Sequence, residues 1–195
     1  PIHWGELLME KNKYRLPPTV FKIFQEFGKY RRLKPLEILI PVGKHCDRIF
    51  YVQRGGLLKR FHQDESNQLR TISFHLPNHR PIITIAESYY YEVPSNYEIK
   101  AFEATEVFEL KKGLIDQKIN EDTALRDFYY SRVLDILIYE NELRAKLISY
   151  RSTELYAYLF KAHPEIIAQV PSKYIAEFMR ISPAWLSKLR RKQSS

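Results

Sequence analysis

The chemistry most legible in this chain is recognition of a polyanion, and it gathers at one end. Residues 171–192 read PSKYIAEFMRISPAWLSKLRRK. Lys173, Lys188, Arg190, Arg191 and Lys192 supply cations there, and Ser182, Ala184 and Ser187 supply small side chains among them. A helix carrying such a mixture can meet DNA in two ways. Cations at its edges hold phosphate oxygens and set register, while residues on its outer face reach base edges in the major groove. The spacing places Ser182, Ala184, Ser187, Lys188 and Arg191 on one face. Lys188 is the best candidate to donate to a guanine edge, and Ala184 can touch a thymine methyl. Lys173, Arg190 and Lys192 are assigned to phosphates. Trp185 is expected to cover the edge of a small core rather than a base. From Pro171 onward there are six Lys/Arg against one acid, Glu177.

These side chains need two short helices and a tight turn to present them. Ile175, Met179, Ile181, Leu186 and Leu189 close a core from both helices at helical spacing. Ala176 is the small residue that lets the backbones approach. Ser182 followed by Pro183 starts a helix well: a side-chain cap, then a residue with preset φ and no amide to satisfy. Arg180 stands at the turn, where φ is commonly positive and Gly is common. A left-handed Arg costs on the order of 1 kcal/mol; a turn of different shape is the alternative. Read by itself, the segment is also compatible with an amphipathic hairpin whose charges form a solvated face.

The rest of the chain has room for one large domain or two small ones in 195 residues. With 45% hydrophobic and 28% charged residues, the composition is that of a folded soluble protein. A net charge of +8 favours a polyanion partner without identifying one. The lone cysteine, Cys46, excludes an intrachain disulfide and a four-cysteine iron–sulfur site within one chain, and fits a reducing compartment. No apolar run approaches the ~18 residues of a membrane span, and no signal-peptide pattern opens the chain. A cytoplasmic protein is expected. A second basic cluster, Lys29, Arg31, Arg32 and Lys34, reads as a solvated face.

Along the chain, residues 18–28 predict a short amphipathic helix with Val20, Phe21, Phe24 and Phe27 on its apolar side and Gly28 at its end. Strands are predicted over 36–40, 48–53, 57–62, 69–76, 97–103 and 106–110, rich in Ile, Leu, Phe and Tyr. Pro41-Val42-Gly43, Arg54-Gly55-Gly56 and Asp64-Glu65-Ser66-Asn67 break them with turn chemistry. Short strands at this spacing suggest a sandwich or barrel. From about Glu121 to Ser149 no Gly or Pro interrupts a helical pattern, which predicts a helix of roughly 40 Å. It carries two apolar stripes and so needs two partners. Leu125, Tyr129, Ile136, Leu143 and Leu147 form the stripe assigned to a second subunit; Phe128, Leu134, Leu137 and Ile138 form the other. A single helix buried in one core is the alternative. Residues 152–163 predict another helix, closed by His163-Pro164.

This order resembles the Crp/Fnr superfamily of bacterial transcription regulators. RIFYVQRGGLLKRF is similar to that family's barrel hairpin, PSNYEIKAFEATEVFEL to the strand pair after its ligand-binding cassette, and VPSKYIAEFMRISPAWLSKLRRK to its DNA-reading motif. The resemblance implies an α+β chain. Residues 1–120 would form a cyclic-nucleotide-binding-like β-barrel or jelly-roll effector domain, 121–149 a long dimerisation helix, and 150–195 a helix-turn-helix domain. It further implies a homodimer on a palindromic double-stranded DNA site, an unidentified small-molecule effector, RNA polymerase as a partner, and no enzyme activity.

The same comparison removes a ligand. Members that bind cyclic AMP carry Gly-Glu in the cassette and an Arg before the next strand, which hold the ribose hydroxyl and the cyclic phosphate. Aligned on Glu106–Leu110, the first pair becomes Thr84-Ile85, and the Arg and its follower become Ser95-Asn96. With neither carboxylate nor guanidinium, no useful cyclic-nucleotide affinity is expected. Tyr89, Tyr90 and Tyr91 stand in the cassette region, either lining a pocket or filling it; filling is the expectation.

Other chemistry finds little support. His45-Cys46 reads as an ordinary loop rather than a haem or metal ligand pair. His75 and His79 flank a Pro-Asn turn with no third ligand at a suggestive spacing. His62 and His75 do not make a cupin metal motif. No metal and no cofactor is expected. A ligand-binding sensor with a vestigial DNA-binding domain is the alternative function.

Overall fold

The computed structural model describes residue 14 and residues 16–63 and 68–193. The expected turn at Asp64–Asn67 lies outside them. Two four-stranded antiparallel sheets face each other. One has the order β1 (Lys29–Leu33), β8 (Thr105–Lys111), β3 (Arg48–Arg54), β6 (Ile82–Ile83); the other has β2 (Ile38–Ile40), β7 (Tyr97–Ala101), β4 (Leu57–Gln63), β5 (Gln68–His75). Between them Leu33, Leu39, Phe50, Val52, Leu57, Ile83, Ile99 and Val107 form one buried core. Strand alternation puts these residues on the inner faces and leaves their neighbours outside.

Among the described residues no strand pairs from one sheet to the other. Of the expected sandwich or barrel, the structure is therefore the open form, a jelly-roll that is not closed. The edges explain this: β6 is two residues long and β2 three, too short to carry hydrogen bonds around a corner. At the β3–β4 corner Gly55 has φ 76°, and a side chain there would meet the Ala104 carbonyl oxygen at 2.4 Å.

Helix α1 (Pro18–Phe27) buries Val20 and Phe24 against the first sheet. Helix α2 (Ala86–Tyr91) follows β6, and α3 (Lys112–Glu121) follows β8 directly. The long helix α4 (Thr123–Ser149) starts on Asp122, whose carboxylate accepts from the Leu125 amide at 3.1 Å. Then come α5 (Ser152–Ala162), α6 (Pro164–Gln169), α7 (Ser172–Met179) and α8 (Pro183–Gln193).

Strand β1 carries most of the cluster that read as a solvated face, and Lys29 and Arg32 are exposed there. Two of its cations also meet β8: Arg31 reaches Glu109 at 3.5 Å and Arg32 reaches Glu106 at 3.8 Å. The second sheet is covered on both faces. Leu58 and Phe74 point out of the sandwich into a core shared with Leu155, Leu159, Ile175, Phe178 and Leu186 of the C-terminal helices. Leu143 of α4 belongs to the same core and is 4% exposed. It lies inside its own chain, not on a surface open to a second subunit.

Candidate nucleic-acid interface

The α7–α8 hairpin is built as its sequence spacing predicts. Ile175, Ala176, Met179, Leu186 and Leu189 are all buried. Arg180 takes the left-handed conformation at φ 57°, ψ 41°. The turn keeps its usual shape, and the Arg carries the strain. It is repaid by hydrogen bonds: the Ile181 amide donates to the Ala176 carbonyl at 3.0 Å and the Arg180 amide to the Glu177 carbonyl at 3.2 Å. These two bonds are the signature of a Schellman helix end. Ser182 caps α8, its hydroxyl oxygen accepting from the Trp185 amide at 3.2 Å.

Of the residues singled out for DNA contact, Lys173, Ser182, Ala184, Ser187, Lys188, Arg191 and Lys192 are exposed. Arg190 is not available in the same way. Its guanidinium turns back along the hairpin, donating to the Ser172 hydroxyl at 2.8 Å and toward the Ile167 carbonyl at 3.4 Å. It positions α8 against α6 and α7 instead of reaching outward to a phosphate. Trp185 covers the hairpin's edge, its indole N–H donating to Ser152 at 2.9 Å.

Glu177 is a positioning residue that spacing does not mark. It carries α7 onto the sandwich: its carboxylate accepts from Arg60 Nη2 at 3.0 Å, from the Thr71 amide at 2.9 Å and from the Thr71 hydroxyl. Arg60 also donates to Glu98 at 3.3 Å and to the Leu69 carbonyl at 3.0 Å. Phe74 and Phe178 pack beside this network with ring centroids 5.1 Å apart. No local signal could have paired residues 117 positions apart in the chain.

A cavity of about 690 Å³ opens between the sandwich and α4. Its walls are mainly apolar, with Ile72, Ile82, Tyr90, Phe128, Ile136 and Leu147 among them, and with Lys59, Arg80, Arg132 and Glu140 as charged groups. Burial pushes the Lys59 ammonium down from its ordinary range. Arg80 donates to Glu140 at 2.7 Å and lies over the Tyr139 ring at 4.2 Å. The positions compared with a cyclic-nucleotide site are occupied by local structure. Thr84 donates to the Arg48 carbonyl at 2.9 Å, Ile85 is fully buried, Ser95 accepts from the Tyr97 amide at 2.8 Å, and the Asn96 carbonyl accepts from the His62 amide at 2.8 Å. The three tyrosines divide. Tyr89 is buried in the core below, Tyr90 meets the Tyr129 hydroxyl at the cavity wall, and Tyr91 is exposed.

The fold as a whole resembles solved structures. The fold is that of Crp/Fnr regulators. FixK2 from Bradyrhizobium japonicum superposes with a TM-score of 0.71 at 10% identity, over 85% of this chain and 83% of that one. The c-di-GMP-responsive global regulator CLP of Xanthomonas campestris gives 0.68 at 12% identity, over 91% and 92%. The catabolite activator protein of Thermus thermophilus gives 0.55 at 17% identity, over 96% and 86%. No protein-family model and no curated protein sequence matches the chain. Among the described residues, no helix is long and apolar enough to cross a membrane.

Proposed function

We propose that this chain is a cytoplasmic DNA-binding transcription regulator of Crp/Fnr type, that it acts as a homodimer on a palindromic site, and that cyclic AMP does not switch it. One observation carries the reading. The hairpin's strained turn and capped second helix hold Ser182, Ala184, Ser187 and Lys188 exposed on a helix with a basic end. Lys173 and Lys192 stand where they can neutralise phosphates, and two copies related by a two-fold axis would enter successive major grooves about 34 Å apart.

The test is selection of duplexes from a random pool, followed by binding of the winner at several salt concentrations. Binding should fall steeply as salt rises, in proportion to the phosphates contacted. Lys188→Ala should relax preference at one base pair per half-site, at a cost of about 1–3 kcal/mol there. Equal affinity for selected and random DNA at every salt concentration would overturn the reading.

The cavity supports a second reading, a ligand sensor whose hairpin no longer binds DNA. Its size suits a small molecule. Apolar walls with Lys59 and Arg80 suit a largely apolar ligand bearing an anionic group. A thermal shift with such a ligand, combined with absent DNA binding, would favour this sensor over the regulator.

A further inference from the structure

Outside the hairpin and the cavity, His79, His163 and Glu165 bring their ligand atoms within 4.8 Å of one another. They come from two parts of the fold. His79 closes the tight turn between β5 and β6, where it bridges Leu76. His163 ends α5, and Glu165 lies in the first turn of α6. His79 is 1% exposed and His163 8%. Glu165 Oε1 stands 2.9 Å from His79 Nδ1 and 3.6 Å from His163 Nδ1.

Two details point to a ligand. His79 Nδ1 is buried and lacks a well-formed hydrogen bond, although Glu165 Oε1 stands 2.9 Å away. A buried nitrogen left this way is costly. The other detail is the Tyr158 hydroxyl, 3.1 Å from His163 Nε2. The tautomer that donates from Nε2 to this oxygen leaves the Nδ1 lone pair facing Glu165. An outer partner on the far ring nitrogen is what fixes a metal-binding histidine.

We propose that His79, His163 and Glu165 bind one divalent transition-metal ion of zinc type, with water as a fourth ligand, and that the ion ties the β5–β6 turn to the α5–α6 junction. Two imidazoles and a carboxylate suit zinc better than calcium or magnesium, which take oxygen ligands. The ion would join the sandwich to the helical segment that carries the hairpin.

The test uses the full chain, freed of metal by a chelator and titrated with Co²⁺ alone. One equivalent per chain should give the intense visible bands of a four-coordinate site, and Zn²⁺ should then displace them and raise the thermal midpoint. Glu165→Gln and His163→Gln should abolish both responses while circular dichroism stays unchanged. These two positions are chosen because His79, deepest in the core, is the one whose replacement endangers folding. Tyr158→Phe should retain the bands and weaken affinity roughly 10- to 100-fold. Absence of bands at one equivalent of Co²⁺, or bands that persist in Glu165→Gln and His163→Gln, would overturn the assignment. No DNA enters the experiment, so its failure is separate from failure of the regulator reading.

Discussion

Glu177 and His75 illustrate how single residues take roles that residue type and spacing alone do not signal. The lone acid of the basic C-terminal segment turns to the sandwich and meets Arg60 and Thr71. Glu177→Ala would leave the half-buried Arg60 with Glu98 as its remaining carboxylate and the Thr71 amide without its acceptor. Urea unfolding should show a loss of about 1–3 kcal/mol. His75 is fully enclosed: Nδ1 donates to the Arg80 carbonyl at 2.8 Å, and Nε2 accepts from Ser73 at 3.0 Å. Burial, with the Arg80 charge adding to it, holds this imidazole well below its ordinary 6.5. The unfolded chain therefore binds the proton first. The stability His75 contributes is present above about pH 6.5 and is lost as pH falls below it, with a slope of up to about 1.4 kcal/mol per pH unit. His75→Gln, whose amide can replace both hydrogen bonds, should flatten that share of the slope in unfolding measured from pH 7 to pH 5. An unchanged slope would mean that another group carries it. Residue-type reasoning found His79 beside its turn but not the two groups that gather with it, because His163 and Glu165 meet it only through tertiary folding.

At the scale of elements, strands with apolar alternation and Gly- or Asn-rich corners were legible, since β3, β4, β5, β7 and β8 obey the period that sheets impose. β1 was hidden by its own charges: Lys29, Arg31 and Arg32 break the apolar alternation of a strand, and only its pairing with β8, where Arg31 and Arg32 meet Glu109 and Glu106, reveals it. β6 and α2 are too short to show a period, and α3 runs into α4 with only Asp122 between them. The α7–α8 turn was legible to the residue, including the strain at Arg180. Glycine relieves a left-handed strain on the order of 1–2 kcal/mol but loses more freedom on folding, by about 0.5–1 kcal/mol. Arg180→Gly should therefore stabilise the chain by up to about 1 kcal/mol, read as a rise in the thermal midpoint. It should leave binding to a selected duplex within a few-fold, provided Arg180 makes no phosphate contact of its own. A tenfold weakening at unchanged stability would place Arg180 on the DNA.

For the molecule as a whole, the question left by periodicity is which stripe of α4 belongs to which partner. A helix pattern records that two sides are apolar and says nothing of what covers each. The structure covers part of the stripe first assigned to a second subunit with the chain itself. Leu125 and Tyr129 pack on the core below the sandwich and Leu143 is buried, while Ile136 and Leu147 border the cavity and stay 41% and 39% exposed. The opposite side keeps Tyr130, Leu134, Leu137 and Ile138 between 48% and 58% exposed, with Ile148 at 78%. Such a contiguous apolar face on a chain of charge +8 calls for a partner. A two-fold related α4 would present the same side chains in return. Leu134→Glu should then give monomers by light scattering, because each copy would bring an unpaired carboxylate into the seam. Ile136→Glu should retain the dimer mass and instead lower the thermal midpoint, since its carboxylate would enter the apolar cavity. A monomeric Ile136→Glu beside a dimeric Leu134→Glu would return the seam to the inner stripe and require α4 to swing away from the sandwich. That outcome would tie dimerisation to the cavity, because the same side chains would have to serve both.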